Sequence, residues 1–194
     1  MDTLTLKIIF LVAVALISVI RTPYQREIKQ NIIIDDRKTA LEKGLLAFVS
    51  LGIFFLPLIY VLTPLFNFAS YSLPIWANML GIGIFAIALW LFWRSHHDLG
   101  KNWSVTLQVR ENHTLITNGI YQAIRHPMYT SIWLWALAQA LLLTNWIAGL
   151  SGIIAFGTLY FFRVGHEENM MLEKFGDQYQ AYRQRTRRLV PFLF

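Results

Sequence analysis

The chain contains no cysteine. Disulfides, thiolate nucleophiles and cysteine-ligated metals are excluded together, and nothing follows about the compartment. Charge is scarce as well: 14% of residues are Asp, Glu, Lys or Arg, against about 25% in a soluble domain. Between Tyr129 and Arg163 there is no Lys, Arg, Asp, Glu or His at all. No Gly-x-Gly-x-x-Gly follows a strand pattern and no Walker loop is present, so a nucleotide-like cofactor would need an unusual site. His96 and His97 are adjacent and lack a His-x-x-x-His or Glu-x-x-His companion, so no metal site is expected.

What is present is apolar. Hydrophobic residues make up 56% of the 194, with seven Trp and fourteen Phe. A helix needs about 20 apolar residues to cross the hydrocarbon core, and five runs approach that: 4–20, 45–66, 74–93, 128–143 and 146–162. The first has no basic leader and no small-residue cleavage site, so it reads as a retained membrane helix and not a signal peptide. Segments 21–44, 94–127 and 163–194 hold six, four and six Lys or Arg, and the intervening loops hold none. Only Lys7 breaks the alternation. The expected fold class is an all-α integral membrane protein with five transmembrane helices, multi-pass, N-terminus outside and C-terminus cytoplasmic. The net charge of +6 follows from that asymmetry, and no nucleic acid partner is expected.

Two polar clusters bracket the uncharged stretch. Arg125-His126-Pro127-Met128-Tyr129 precedes it, and Arg163 with Glu167-Glu168 follows. Only Thr144-Asn145 interrupts the apolar run, so the last two helices are expected to fold back as a tight hairpin. That returns Arg163 and Glu167 to the membrane face of His126 and Tyr129. Pro127 suits the first turn of a helix, which leaves Arg125, His126 and Tyr129 without a structural reason. Arg163 and Glu167 share one helix face, where a bare ion pair would contribute about 0.2–0.5 kcal/mol.

Elsewhere the structural readings prevail. Pro57 and Pro64 suggest kinks that neighbouring helices repair. Gly81, Gly83 and Gly149-Leu150-Ser151-Gly152 suggest close helix packing. Val105–Val109 has strand character but no evident partner, so 94–127 reads as an extended loop. The tail, with Phe175, Tyr179, Tyr182 and Leu189 among arginines, would lie against anionic head groups.

His113-Thr114-Leu115-Ile116-Thr117-Asn118-Gly119-Ile120-Tyr121, followed by Arg125-His126-Pro127-Met128-Tyr129, resembles the isoprenylcysteine carboxyl methyltransferase family. Glu167-Glu168, Phe175-Gly176-Asp177-Gln178-Tyr179, Tyr182 and Arg188-Leu189-Val190-Pro191 continue the likeness, and His97–Ser104 fits upstream. The match spans roughly 96–191. It implies an S-adenosylmethionine-dependent carboxyl O-methyltransferase, releasing S-adenosylhomocysteine. By that resemblance His113, Thr114, Leu115, Ile116, Tyr121, His126, Pro127, Met128, Tyr129 and Glu167 would hold the cofactor. Arg163 and Glu167 would be catalytic, with Arg163 meeting the acceptor's carboxylate.

The division expected is 1–93 as a three-helix membrane region shaping the lipid site, and 94–194 as the catalytic region. The expected partners are membrane lipids and a lipophilic carboxylate substrate entering from the bilayer, with no obligate protein partner. Phospholipid methyltransferases of the same superfamily are the alternative, although an arginine suits an amine acceptor poorly. A transport or purely structural membrane protein is the alternative of a different class. The interiors of the spans carry almost no ionisable groups to form a pathway.

Overall fold

The computed structural model describes residues 1–28, 33–36, 39–103, 108–110 and 114–191. Helix α1 (Thr3–Ile28) is followed by a short strand β1 (Ile33–Asp36) and α2 (Ala40–Ser50). A π-helical turn at Leu51–Phe55 leads into α3 (Leu56–Leu62). Next come α4 (Ile75–Leu99), β2 (Gln108–Arg110), α5 (Pro127–Leu143), α6 (Trp146–Phe175) and α7 (Asp177–Arg185). Four helical stretches are long and apolar enough to cross a membrane: Thr3–Arg26, Ala40–Leu62, Ile75–Leu99 and Trp146–Phe175. The 17-residue α5 is apolar but shorter. The chain is thus a helical integral membrane protein, and α6 runs thirteen residues beyond the apolar run that ends at 162.

Helices α5 and α6 meet across Thr144-Asn145. Thr144 adopts a left-handed conformation with φ 45°. Asn145 caps α6, its Oδ1 accepting from the amides of Ile147 and Ala148 at 3.1 and 3.0 Å. Its Nδ2 donates to the Phe66 carbonyl at 2.7 Å. The two helices run antiparallel, with Gly149 against Ala140, Gly152 against Gln139 and Gly157 against Trp133. Side chains there would hold the backbones apart. Gly81 packs likewise on Leu141 and Leu142, whereas Gly83 faces open space, contrary to the expectation for it.

The prolines leave carbonyls that other helices satisfy. In the π turn the Leu56 amide bonds back to Leu51, and Pro57 has no N–H to offer Gly52. The Gly52 carbonyl instead accepts from Ser151 Oγ at 2.7 Å and Gln139 Nε2 at 3.0 Å. Pro64 similarly cannot serve the Tyr60 carbonyl, which accepts from Lys7 Nζ at 3.0 Å. This accounts for the basic residue that broke the charge alternation. Burying these groups unpaired would cost a lost hydrogen bond each.

At the core, Phe10, Phe85 and Trp135 join α1, α4 and α5, with the Phe85 and Trp135 ring centroids 4.3 Å apart. The expectation of an unpartnered extended loop at 105–109 is corrected. Gln108–Arg110 pairs antiparallel with Ile33–Asp36, a partner some 75 residues upstream whose β-branched Ile33 and Ile34 suit a strand but had not been read as one. Residues 104–107 lie outside the described residues.

Candidate functional site

A cavity of about 360 Å³ opens where α1, α2, α5 and α6 meet the segments around 99–103, 114–121 and 179–182. Its size falls in the usual range for small-molecule sites. One end is polar, with Thr114, Tyr121, Arg125, His126, Tyr129, Arg163 and Glu167. The other is apolar, with Ile17, Leu46, Val49, Ile53, Phe54, Ile132, Phe156 and Leu159.

Of the residues singled out in sequence, Thr114, Leu115, Ile116, Tyr121, His126, Met128, Tyr129, Arg163 and Glu167 all line this one cavity. Pro127 does not; it is buried at the first turn of α5, the structural role its position suggests. His113 lies outside the described residues.

The glutamate pair at 167 and 168 divides two tasks, because successive helix residues point about 100° apart. Glu168 is buried and organises a cationic cluster. Arg125 Nε donates to it at 3.1 Å, Arg188 Nε and Nη2 at 3.2 and 2.7 Å, and His126 Nε2 stands 3.3 Å away. Glu167 faces the cavity, where it accepts a hydrogen bond from the Tyr129 hydroxyl. It lies 3.6 Å from His126 Nδ1 and 3.7 Å from Arg163 Nε. His126 thus sits between two carboxylates and stacks on Tyr129 at 5.2 Å. Burial lowers its pKa, but hydrogen bonds and charge from Glu167 and Glu168 outweigh burial and raise it above the ordinary value.

Arg163 also pairs with Glu42 on α2 at 3.5 Å. The distances of Arg163 to Glu42 and Glu167, 3.5 and 3.7 Å, exceed the 2.7–2.9 Å of a tight charged hydrogen bond. Glu42 carried no sequence signal, since only the packing of α2 on α6 brings it there.

Two elements hold the rim. Asp98, on the last turn of α4, pairs with Arg94 at 3.2 Å and accepts from the Ile120 amide at 2.8 Å. Asn102 accepts from the Thr114 amide at 3.0 Å and donates to its hydroxyl at 3.3 Å. The C-terminal segment then straps the site. The Arg125 and His126 amides donate to the Arg187 and Arg188 carbonyls at 2.7 and 3.0 Å. The Tyr182 hydroxyl donates to the Tyr121 carbonyl at 2.7 Å. Tyr179 and Tyr182 are buried beside the cavity, so that face of the tail turns toward the site and not toward head groups. Burial drives the Tyr121 phenol well above its usual pKa, and the hydrogen bond to Glu168 raises Arg188.

Arg125 therefore belongs to the scaffold. Besides Glu168 it donates to the Arg183 and Thr186 carbonyls. Sequence reasoning missed Glu42 and the separate task of Glu168, and gave no role to Asp98, Asn102 and Trp103, although these three lie in the His97–Ser104 stretch that carries the resemblance. The task of Glu168 had a legible signal too, in the helical offset of two adjacent acids.

Residues 79–173 match the family model described as the isoprenylcysteine carboxyl methyltransferase (ICMT) family. The chain is 31% identical over 96 residues to protein-S-isoprenylcysteine O-methyltransferase B of Arabidopsis thaliana, covering 48% of this chain and 49% of that protein. It is 27% identical over 120 residues to the Homo sapiens protein-S-isoprenylcysteine O-methyltransferase, covering 61% and 42%. The chain thus spans about half the length, or less, of the curated relatives it matches. The solved structure of the eukaryotic intramembrane Ras methyltransferase ICMT shares the fold, with a TM-score of 0.55 at 21% identity, over 82% of this chain and 55% of that one. Residues 79–173 are thus similar in sequence to the isoprenylcysteine carboxyl methyltransferase family, within a fold of apolar helices shared with that solved structure.

Proposed function

We propose that this protein transfers a methyl group from S-adenosylmethionine to the carboxylate of a lipidated, isoprenylcysteine-like acceptor, giving a methyl ester at the membrane interface. The observation that carries the reading is a single cavity with a polar end around Tyr129, Arg163 and Glu167 and an apolar end between α1, α2, α5 and α6. The donor set fits the cofactor. The cavity offers a carboxylate for an amino group, tyrosine and histidine rings for a base, and the 114–116 chain for polar edges. When bound, the cofactor supplies an electrophilic methyl on a sulfonium and leaves as S-adenosylhomocysteine.

In this reading Thr114, Leu115, Ile116, Tyr121, His126, Met128, Tyr129 and Glu167 hold the cofactor, with His113 in the same segment. Tyr129 orients Glu167 through its hydroxyl. Arg163 receives the acceptor, trading its loose pairing with Glu42 for a two-pronged grip on the incoming carboxylate. A C-terminal carboxylate has a pKa near 3.3–3.7 and arrives ionised, so no general base is required. Arg163 must instead fix the attacking oxygen at about 3–3.5 Å from the methyl carbon. The closely packed wall of tyrosines excludes water from that line.

The same reading places α5 and α6 in the membrane as a hairpin, α5 being the fifth span. The N-terminus lies outside and the site lies on the cytoplasmic face. Residues 1–93 shape the lipid site, 94–194 carry catalysis, and the acceptor slides in from the bilayer.

The test is transfer of labelled methyl to a prenylcysteine analogue, run beside phosphatidylethanolamine. Ester formation on the acid alone is expected, and Arg163→Ala should abolish it while cofactor affinity stays within about threefold. Labelling of the amine alone would move the protein to the phospholipid methyltransferases. Full turnover by Arg163→Ala would remove the role assigned to that residue.

A further inference from the structure

Three arginines line the cavity, and two are matched by carboxylates: Arg125 by Glu168, and Arg163 by Glu42 and Glu167. The third is Arg21, on the last third of α1. Among the described residues no carboxylate stands within ion-pair distance of it, and its Nε is buried without a hydrogen-bond partner. An arginine near a membrane helix end ordinarily extends its head to interfacial water. Arg21 instead lies against the Trp103 ring, 5.5 Å from its centroid, with part of its head enclosed.

Trp103 is itself fixed. It is buried, its Nε1 donates to Met128 Sδ at 3.2 Å, and its ring packs on His96 at 4.6 Å. The guanidinium is thereby held beside the 126–129 segment, on a wall formed by α1 and not by α6. Ile17 and Ser18, one turn earlier on the same helix, also face the cavity. A cation enclosed without a counter-charge is costly unless a ligand provides one. An arginine already stacked on an aromatic ring presents a rigid fork suited to a carboxylate.

We propose that Arg21 is a second anion-binding residue of the cavity and receives a ligand carboxylate. This rests on the methyltransferase reading, in which two carboxylates are at hand: the amino-acid end of the cofactor and the acid of the acceptor. The chemistry that Arg21 recognises is the same for both.

The experiment uses the full chain in detergent or nanodiscs and compares the parent with Arg21→Gln and Arg21→Lys. Four ligands are titrated: S-adenosylhomocysteine, 5′-methylthioadenosine (which lacks the amino-acid end), a prenylcysteine acid and its carboxamide. In Arg21→Gln one carboxylate-bearing ligand should lose about tenfold or more in affinity, as expected for a charged hydrogen bond, while its carboxylate-free counterpart is unchanged. Loss on S-adenosylhomocysteine assigns the cofactor as the source, and loss on the prenylcysteine acid assigns the acceptor. Arg21→Lys should fall between, keeping charge but not the fork. If Arg21→Gln fails to fold, the same selective loss is read in Arg21→Lys. Equal affinities for all four ligands, or equal loss with and without the carboxylate, overturn the proposal alone. A folded parent that binds none of the four overturns the methyltransferase reading, and this proposal with it.

Discussion

Neutralising Glu168 should unfold the protein more readily without touching the cavity directly. Its side chain is 3% exposed and holds Arg125, His126 and Arg188 at 2.7–3.3 Å, with Arg183 at 3.9 Å. Glu168→Gln preserves the shape and leaves these cations facing one another. Two unit charges about 4 Å apart interact by about 4 kcal/mol at the effective dielectric of a protein surface. Relaxation recovers part of that, and breaking buried pairs in other proteins costs about 3–5 kcal/mol. For a chain of this length each kcal/mol lowers Tm by about 2–4 °C, so the variant should melt about 6–20 °C lower. Thermal denaturation followed by intrinsic tryptophan fluorescence in detergent would measure it. Glu167→Gln is the control, because Glu167 faces the cavity and shares its load with Tyr129 and Arg163. It should lose cofactor affinity with a much smaller change in Tm. A Glu168→Gln protein melting within about 3 °C of the parent would refute the argument that this carboxylate organises the C-terminal strap.

Three further outcomes are expected. The raised pKa of His126 means its ion pairs stabilise the fold fully below about pH 6.5, its ordinary value. That stabilisation is lost as pH climbs through the raised folded value. The Tm should fall over that window, and His126→Gln should flatten the profile. Gly119 has φ +59°, and a Cβ there would collide with the Asp98 carboxylate. Gly119→Ala should therefore cost at least about 1–2 kcal/mol and weaken S-adenosylhomocysteine binding by calorimetry, since the rim is displaced. Asn145→Ala removes the α6 cap and the bond to Phe66, so a loss of about 0.5–2 kcal/mol is expected. Its methyl transfer well below the Tm should be unchanged, because the turn is at the far end of α5 and α6 from Arg163.

The sequence by itself determined that the protein belongs in a membrane, where its apolar runs lie, and which short segments carry polar chemistry. These are properties of composition and of order along the chain. Burial in lipid requires long uncharged runs, and an interfacial site requires polar residues at their ends. Nine of the residues read from the sequence line one cavity for that reason. Only the tertiary structure decided which charges neutralise which. Glu42 reaches Arg163 from a position 121 residues earlier in the chain, and Ile33–Asp36 becomes a strand because Gln108–Arg110 lies beside it. Lys7 answers a carbonyl orphaned by Pro64, and Arg21 joins the cavity from α1. Each depends on how helices distant in sequence pack, because a pair's distance and its shelter from water, not its residue types alone, set whether a charge is structural or left to meet a ligand.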